Sequence, residues 1–142
     1  MIHQISKIVI LAIMISSISY YSLQAQEKAG PEMDFEVKEH DFGDIEQGDK
    51  VEYTFEFTNV GNQPLIIQNV LTTCGCTAPE WPRDPVKSGE SASIKIKFNS
   101  AGKSGIQNKI IRIMSNAGQS PEILKIKANV LVNADKSWVE DV

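Results

Sequence analysis

VEYTFEF, residues 51–57, decides how this chain is read. Val51, Tyr53, Phe55 and Phe57 alternate with Glu52, Thr54 and Glu56, which makes one oily face and one wet face. A period of two is the signature of a strand buried on one side, and β-branched and aromatic residues favour that pleated surface. Working outward, the same period recurs. Phe35 and Val37 alternate with Glu36 and Lys38, and Ile94, Ile96 and Phe98 alternate with Lys95 and Lys97. Leu124, Ile126, Ala128, Val130 and Val132 line one face of a last strand. Residues 65–71 (LIIQNVL) and 106–114 (IQNKIIRIM) are further strand-like runs. Turn residues at Gln47-Gly48-Asp49, Val60-Gly61-Asn62, Lys87-Ser88-Gly89, Ala101-Gly102-Lys103 and Asn116-Ala117-Gly118 separate these runs.

No helical stretch is long enough to carry the chain between parallel neighbours, so antiparallel pairing is expected. One-sided strands then bury their faces best as two stacked sheets. The expected fold is all-β: a single immunoglobulin-like antiparallel β-sandwich of about seven to eight strands over residues 35–132. Lys95-Ile96-Lys97 reads as an edge strand guarded by charge.

The first residues follow another logic. Residues 1–7 carry one Lys, residues 8–15 (IVILAIMI) are wholly apolar, and residues 16–26 become polar and small. This is the order of a secretory signal peptide, 1–25, with cleavage expected after Ala25. The apolar run is shorter than the roughly 20 residues of a membrane helix, so no stable span is expected after cleavage. Residues 26–34 read as a flexible lead and residues 133–142, with Trp138, as a polar tail. The expected location is secreted, in the periplasm or at the cell surface, where cysteines meet oxidising conditions. A formal charge of −4 with no basic stripe argues against nucleic acid and against anionic membrane surfaces.

Asp41-Phe42-Gly43-Asp44-Ile45, then Phe57-Thr58-Asn59-Val60-Gly61 and Pro64-Leu65-Ile66-Ile67, resemble the opening of Hydin-type (ASH) and major-sperm-protein-like domains. That resemblance implies an immunoglobulin-like sandwich in which the Asn-x-Gly segment turns a corner between strands. Thr73-Cys74-Gly75-Cys76-Thr77 with Trp81-Pro82 and Pro85-Val86 looks like a family of exported bacterial proteins labelled as a domain of unknown function. It implies export and a fold, and brings no activity.

Cys74 and Cys76 are the first candidate for chemistry. In an extended strand their Cα atoms would lie about 6.5 Å apart, near the upper limit for a disulfide, so a bond needs a bend, which Gly75 would permit. Three states stay open: a reducible disulfide, a thiolate pair for a soft metal such as Cu(I), or two packed thiols. His40 and Met114 are the distant groups that could complete a metal site, since two sulfurs alone leave one low-coordinate. The second candidate is the Pro-stiffened loop of residues 77–85, with Trp81 between Pro79 and Pro82 as a binding anchor or as a cap on the core. Asp41, Asp44 and Glu46 do not have the spacing of a calcium loop. No nucleophile elbow, phosphate loop or paired-carboxylate setting is visible, so no enzyme and no cofactor is expected. The expected role is a non-catalytic binding or scaffold module for a protein or cell-envelope partner. Soft-metal handling or thiol redox chemistry at Cys74 and Cys76 is the alternative.

Overall fold

The computed structural model describes residues 30–132, so the signal peptide (1–25), residues 26–29 of the lead (26–34) and the tail (133–142) lie outside the described residues. Eight strands follow one another: β1 Met33–Phe35, β2 Glu39–Glu46, β3 Lys50–Asn59, β4 Ile67–Thr72, β5 Thr77–Glu80, β6 Ser91–Asn99, β7 Gly105–Ser115 and β8 Glu122–Leu131. They form two four-stranded sheets, β1-β3-β6-β5 and β2-β8-β7-β4, with no helix among the described residues. No helix there is long and apolar enough to cross a membrane.

The period of two places the core between the sheets. Phe55 and Phe57 of β3 and Ile94, Ile96 and Phe98 of β6 face Ile111 and Ile113 of β7 and Leu124, Ile126, Ala128 and Val130 of β8, all buried in one cluster. Each fully buried large side chain contributes about 1.5–3 kcal/mol, which makes this contact the main source of stability. Met33, in the segment read as a lead, is the first residue of β1 and is also in the core. Val37 does not extend that strand: it is exposed where the chain crosses to the other sheet. Val132 is likewise exposed, past the end of β8.

Five of the six strand pairs among the described residues are antiparallel, and β2 runs parallel to β8, from Glu39 opposite Lys125 to Glu46 opposite Leu131. Short connections do favour antiparallel neighbours. These two strands are far apart in sequence, however, and no short turn constrains their direction. A register shift between Asp41 and Asp44, at Gly43 with a φ of 69°, breaks the alternation in β2. The expected guarded edge is a second difference. β6, with Lys95 and Lys97, lies between β3 and β5. Its lysines mark the wet face of an inner strand, because alternation reports which face is wet and not which neighbours a strand has.

One polar residue holds the corner after β3. Asn59 is fully buried. Its Nδ2 donates to the carbonyls of Gln63 at 2.8 Å and Val86 at 2.9 Å, and its Oδ1 accepts from the N–H groups of Gly61 at 3.1 Å and Glu32 at 3.3 Å. Gly61 is needed for space. A Cβ there would meet Glu32 N at 2.5 Å and the Pro31 carbonyl carbon at 2.8 Å, with the Gly30 carbonyl oxygen nearer still.

Candidate functional site: the disulfide turn and its groove

β4 ends at Thr72 and β5 starts at Thr77, and the residues between them turn the chain at one end of the sandwich. The Thr72 hydroxyl reaches the carbonyls of Cys74 at 3.0 Å and Thr77 at 3.2 Å, spanning the turn. From the other side, Asn99 N–H donates to the Cys76 carbonyl at 2.9 Å. Held this way, the Cα atoms of Cys74 and Cys76 lie 5.3 Å apart, and the two residues are joined by a disulfide. The turn supplies the bend that an extended strand lacks. Gly75 is not what permits it, because its φ is not in the left-handed region and a Cβ there would meet nothing within 4 Å.

The bond closes a ring within a single turn. In the chain-entropy picture a three-residue loop constrains the unfolded chain by about 1.5 kcal/mol, roughly half the effect of a 15-residue loop. It ties no strand to another, unlike a disulfide that joins two sheets. Both cysteines are half-buried, and the Thr77 hydroxyl, itself buried, lies 3.7 Å from Cys74 Sγ.

Beside the turn is a groove of about 480 Å³ lined by Lys50, Val51, Gly75, Cys76, Lys97 and Phe98 among others. Lys97 Nζ meets Glu80 Oε1 at 2.5 Å across β5 and β6. That hydrogen bond lowers the Glu80 carboxyl below its ordinary value and raises the Lys97 ammonium above its own.

The other candidate residues are dispersed. His40, on β2, stacks on Tyr53 with ring centroids 3.6 Å apart and meets Phe42 edge-on at 4.6 Å. Met114 lies on β7 opposite Asn69, three pairs along from Thr72 and Ile111. Neither converges on the sulfurs, which are bonded to each other. Among the described residues no group of three or more His, Cys, Asp or Glu is placed to hold a metal ion. Asp41 is occupied by Gly43 N–H at 2.8 Å and by Lys127 at 3.0 Å, which together lower its carboxyl, and Asp44 accepts from Asn129 at 2.8 Å.

Residues 77–80, expected in a loop, form β5, and Pro79 lies within it opposite Ile96. The Cys76 carbonyl points to β6, so by alternation Thr77 and Pro79 turn their backbone groups away from it. Pro79 has no N–H to offer there, which blunts this sheet edge against an added strand. Trp81 packs half-buried against the core under the Arg83 guanidinium, 3.8 Å from the ring centroid, and its Nε1 is buried without a partner among the described residues. Pro82 is also half-buried. The indole therefore presents less free surface than an exposed anchor would. The sequence signal missed was Gly75 beside Lys97 and Lys50: these residues come together only once β5 and β6 pair.

The fold is shared with solved structures. A protein of unknown function from Porphyromonas gingivalis W83 is 23% identical with a TM-score of 0.62, over 75% of this chain and 50% of that one. The secreted serine protease VesC from Vibrio cholerae is 16% identical with a TM-score of 0.52, over 73% of this chain and 24% of that one. The YadV chaperone is 12% identical with a TM-score of 0.51, over 69% of this chain and 51% of that one. The chain thus spans half or less of two of these structures and about half of the third. No curated protein matches it. A family model described as "Protein of unknown function (DUF1573)" matches residues 33–130, and the chain belongs to that family.

Proposed function

We propose that this chain is an exported, non-catalytic binding or scaffold module, freed of residues 1–25 and acting in the periplasm or at the cell surface. It engages a protein or cell-envelope partner at the disulfide end of the sandwich. The observation that carries this reading is the groove of about 480 Å³ between the Cys turn and the paired ends of β3 and β6. Lys50, Glu52, Lys97 and Asn99 give it polar walls and Ala78 and Cys76 its small apolar surface, a mixture suited to a polar extended segment. Three of the four edge strands suit a partner less. β1 has three residues, β5 is blunted by Pro79, and β2 is broken at Gly43 and lined with carboxylates.

The test uses the full chain, expressed with its leader. N-terminal sequencing of the exported product should begin at Gln26. Envelope extracts are then captured on wild-type, Lys97→Glu and Trp81→Ala baits whose folding is checked by circular dichroism. Lys97→Glu should lose the captured partner, and Trp81→Ala should retain most of it. Equal recovery on wild-type and Lys97→Glu baits removes the groove from the argument.

A further inference from the structure

We propose that the Cys74–Cys76 disulfide is a thiol–disulfide exchange site. Its substrate is a protein segment bearing a pair of thiols that docks in the adjoining groove. This goes beyond the binding role above and rests on the same groove. Three observations carry it.

The bond joins no two strands and closes only a three-residue ring, so holding the sandwich together is a weak reason for it. It is also placed for access: Cys76 and Gly75 both line the groove. A Cβ at residue 75 would meet no atom within 4 Å outside its two chain neighbours, so packing there does not ask for glycine. Backbone geometry does not ask for glycine either, and a bulky side chain at this groove-lining position beside Cys76 would narrow the approach to it. Lastly, the turn provides for a leaving thiolate. The buried Thr77 hydroxyl is 3.7 Å from Cys74 Sγ, and Thr72 braces the carbonyls on either side without depending on the sulfurs. Lys50 at the groove is a cation to which an arriving thiolate is drawn.

The step balances as follows. A partner thiolate attacks Cys76 Sγ, a bond forms between those two sulfurs, and the Cys74–Cys76 bond breaks. Cys74 leaves as a thiolate, accepts a hydrogen bond from the Thr77 hydroxyl and takes up a proton. The partner's second thiolate then attacks its own sulfur in the mixed disulfide and displaces Cys76, which is protonated in turn. Two electrons and two protons pass from the partner's thiols to this chain, leaving the partner with a disulfide and Cys74 and Cys76 as thiols.

Dithiothreitol, a small dithiol, is the probe, and alkylation followed by mass measurement counts the thiols formed. The oxidised full chain is reduced both folded and in urea. An exchange site should be reduced at least as fast folded as unfolded. Gly75→Leu should slow the folded reaction by about tenfold and leave the unfolded one unchanged. Thr77→Val should also slow it, with Thr77→Ser restoring it. Folded reduction about tenfold slower than unfolded in the wild type would overturn the proposal, because a buried structural bond behaves that way. An unchanged rate in Gly75→Leu would overturn it as well. Capture on the Lys97→Glu bait reads the groove without the sulfurs, so the two readings fail separately.

Discussion

Replacing Asn59 with alanine is the most direct probe of what sets the corner after β3. The side chain is fully buried and makes four hydrogen bonds to backbone groups from three separate segments. The Val86 carbonyl would keep the N–H of Leu65 at 2.9 Å, but the carbonyl of Gln63 and the N–H groups of Gly61 and Glu32 would each lose this partner. At about 1 kcal/mol per bond, and more where the abandoned group stays dry, Asn59→Ala should cost about 4 kcal/mol. For a domain of this size that corresponds to a fall in Tm of roughly 15–30 °C. Urea unfolding followed by tryptophan fluorescence measures it, with half-buried Trp81 as reporter. Thr58→Ala is the control, because Thr58 makes one exposed bond, to Ser91 at 2.8 Å, and should cost less than about 1 kcal/mol. If Asn59→Ala also costs less than about 1 kcal/mol, the four bonds do not carry the corner.

Two further outcomes are expected. Gly61→Ala should detach the 30–32 segment from the corner, because its Cβ would collide with the backbone of residues 30–32. Hydrogen exchange at Val60, whose N–H donates to Glu32 at 3.0 Å, should rise markedly while exchange in β6 to β8 stays slow. The Glu80–Lys97 pair should contribute over a wide pH range. The lowered Glu80 carboxyl holds that contribution above its usual value of 4.5 and loses it as pH falls through the folded value. The raised Lys97 ammonium holds it below 10.5 and loses it as pH rises through its folded value. An NMR titration of Glu80 should move to higher pH in Lys97→Met, and an unmoved midpoint would show that the lysine is not the cause.

The faces of this fold were legible and the neighbours were not. Residues 51–57, 94–98 and 124–130 announce their buried sides because each inward position is aliphatic or aromatic and each outward one is polar. Nothing in that alternation tells an inner strand from an outer one, so β6 with its lysines looked like an edge. β2 was hard to see because its only buried residue is Ile45 and a register shift interrupts it. β5 was hidden by Pro79, which usually marks a loop and here faces away from the ladder. The cysteine spacing left three states open. Choosing among them required the turn that Thr72, Thr77 and Asn99 build, and those contacts join residues up to 23 apart in the chain.

The parallel pairing of β2 with β8 has a bearing on how the chain reaches its native state. A ribosome delivers β2 early, yet the strand that completes its hydrogen bonding is the last of the described strands to emerge, and the link from Asp44 to Asn129 spans 85 residues. Until then half of the sandwich lacks its closing member, and aliphatic residues of β4 and β7 stand open to other chains. Closing so distant a contact carries a large entropic cost before it is rewarded, which slows folding. Truncation anywhere before residue 122 would therefore remove the partner of the amino-terminal strand, and not merely trim the far end.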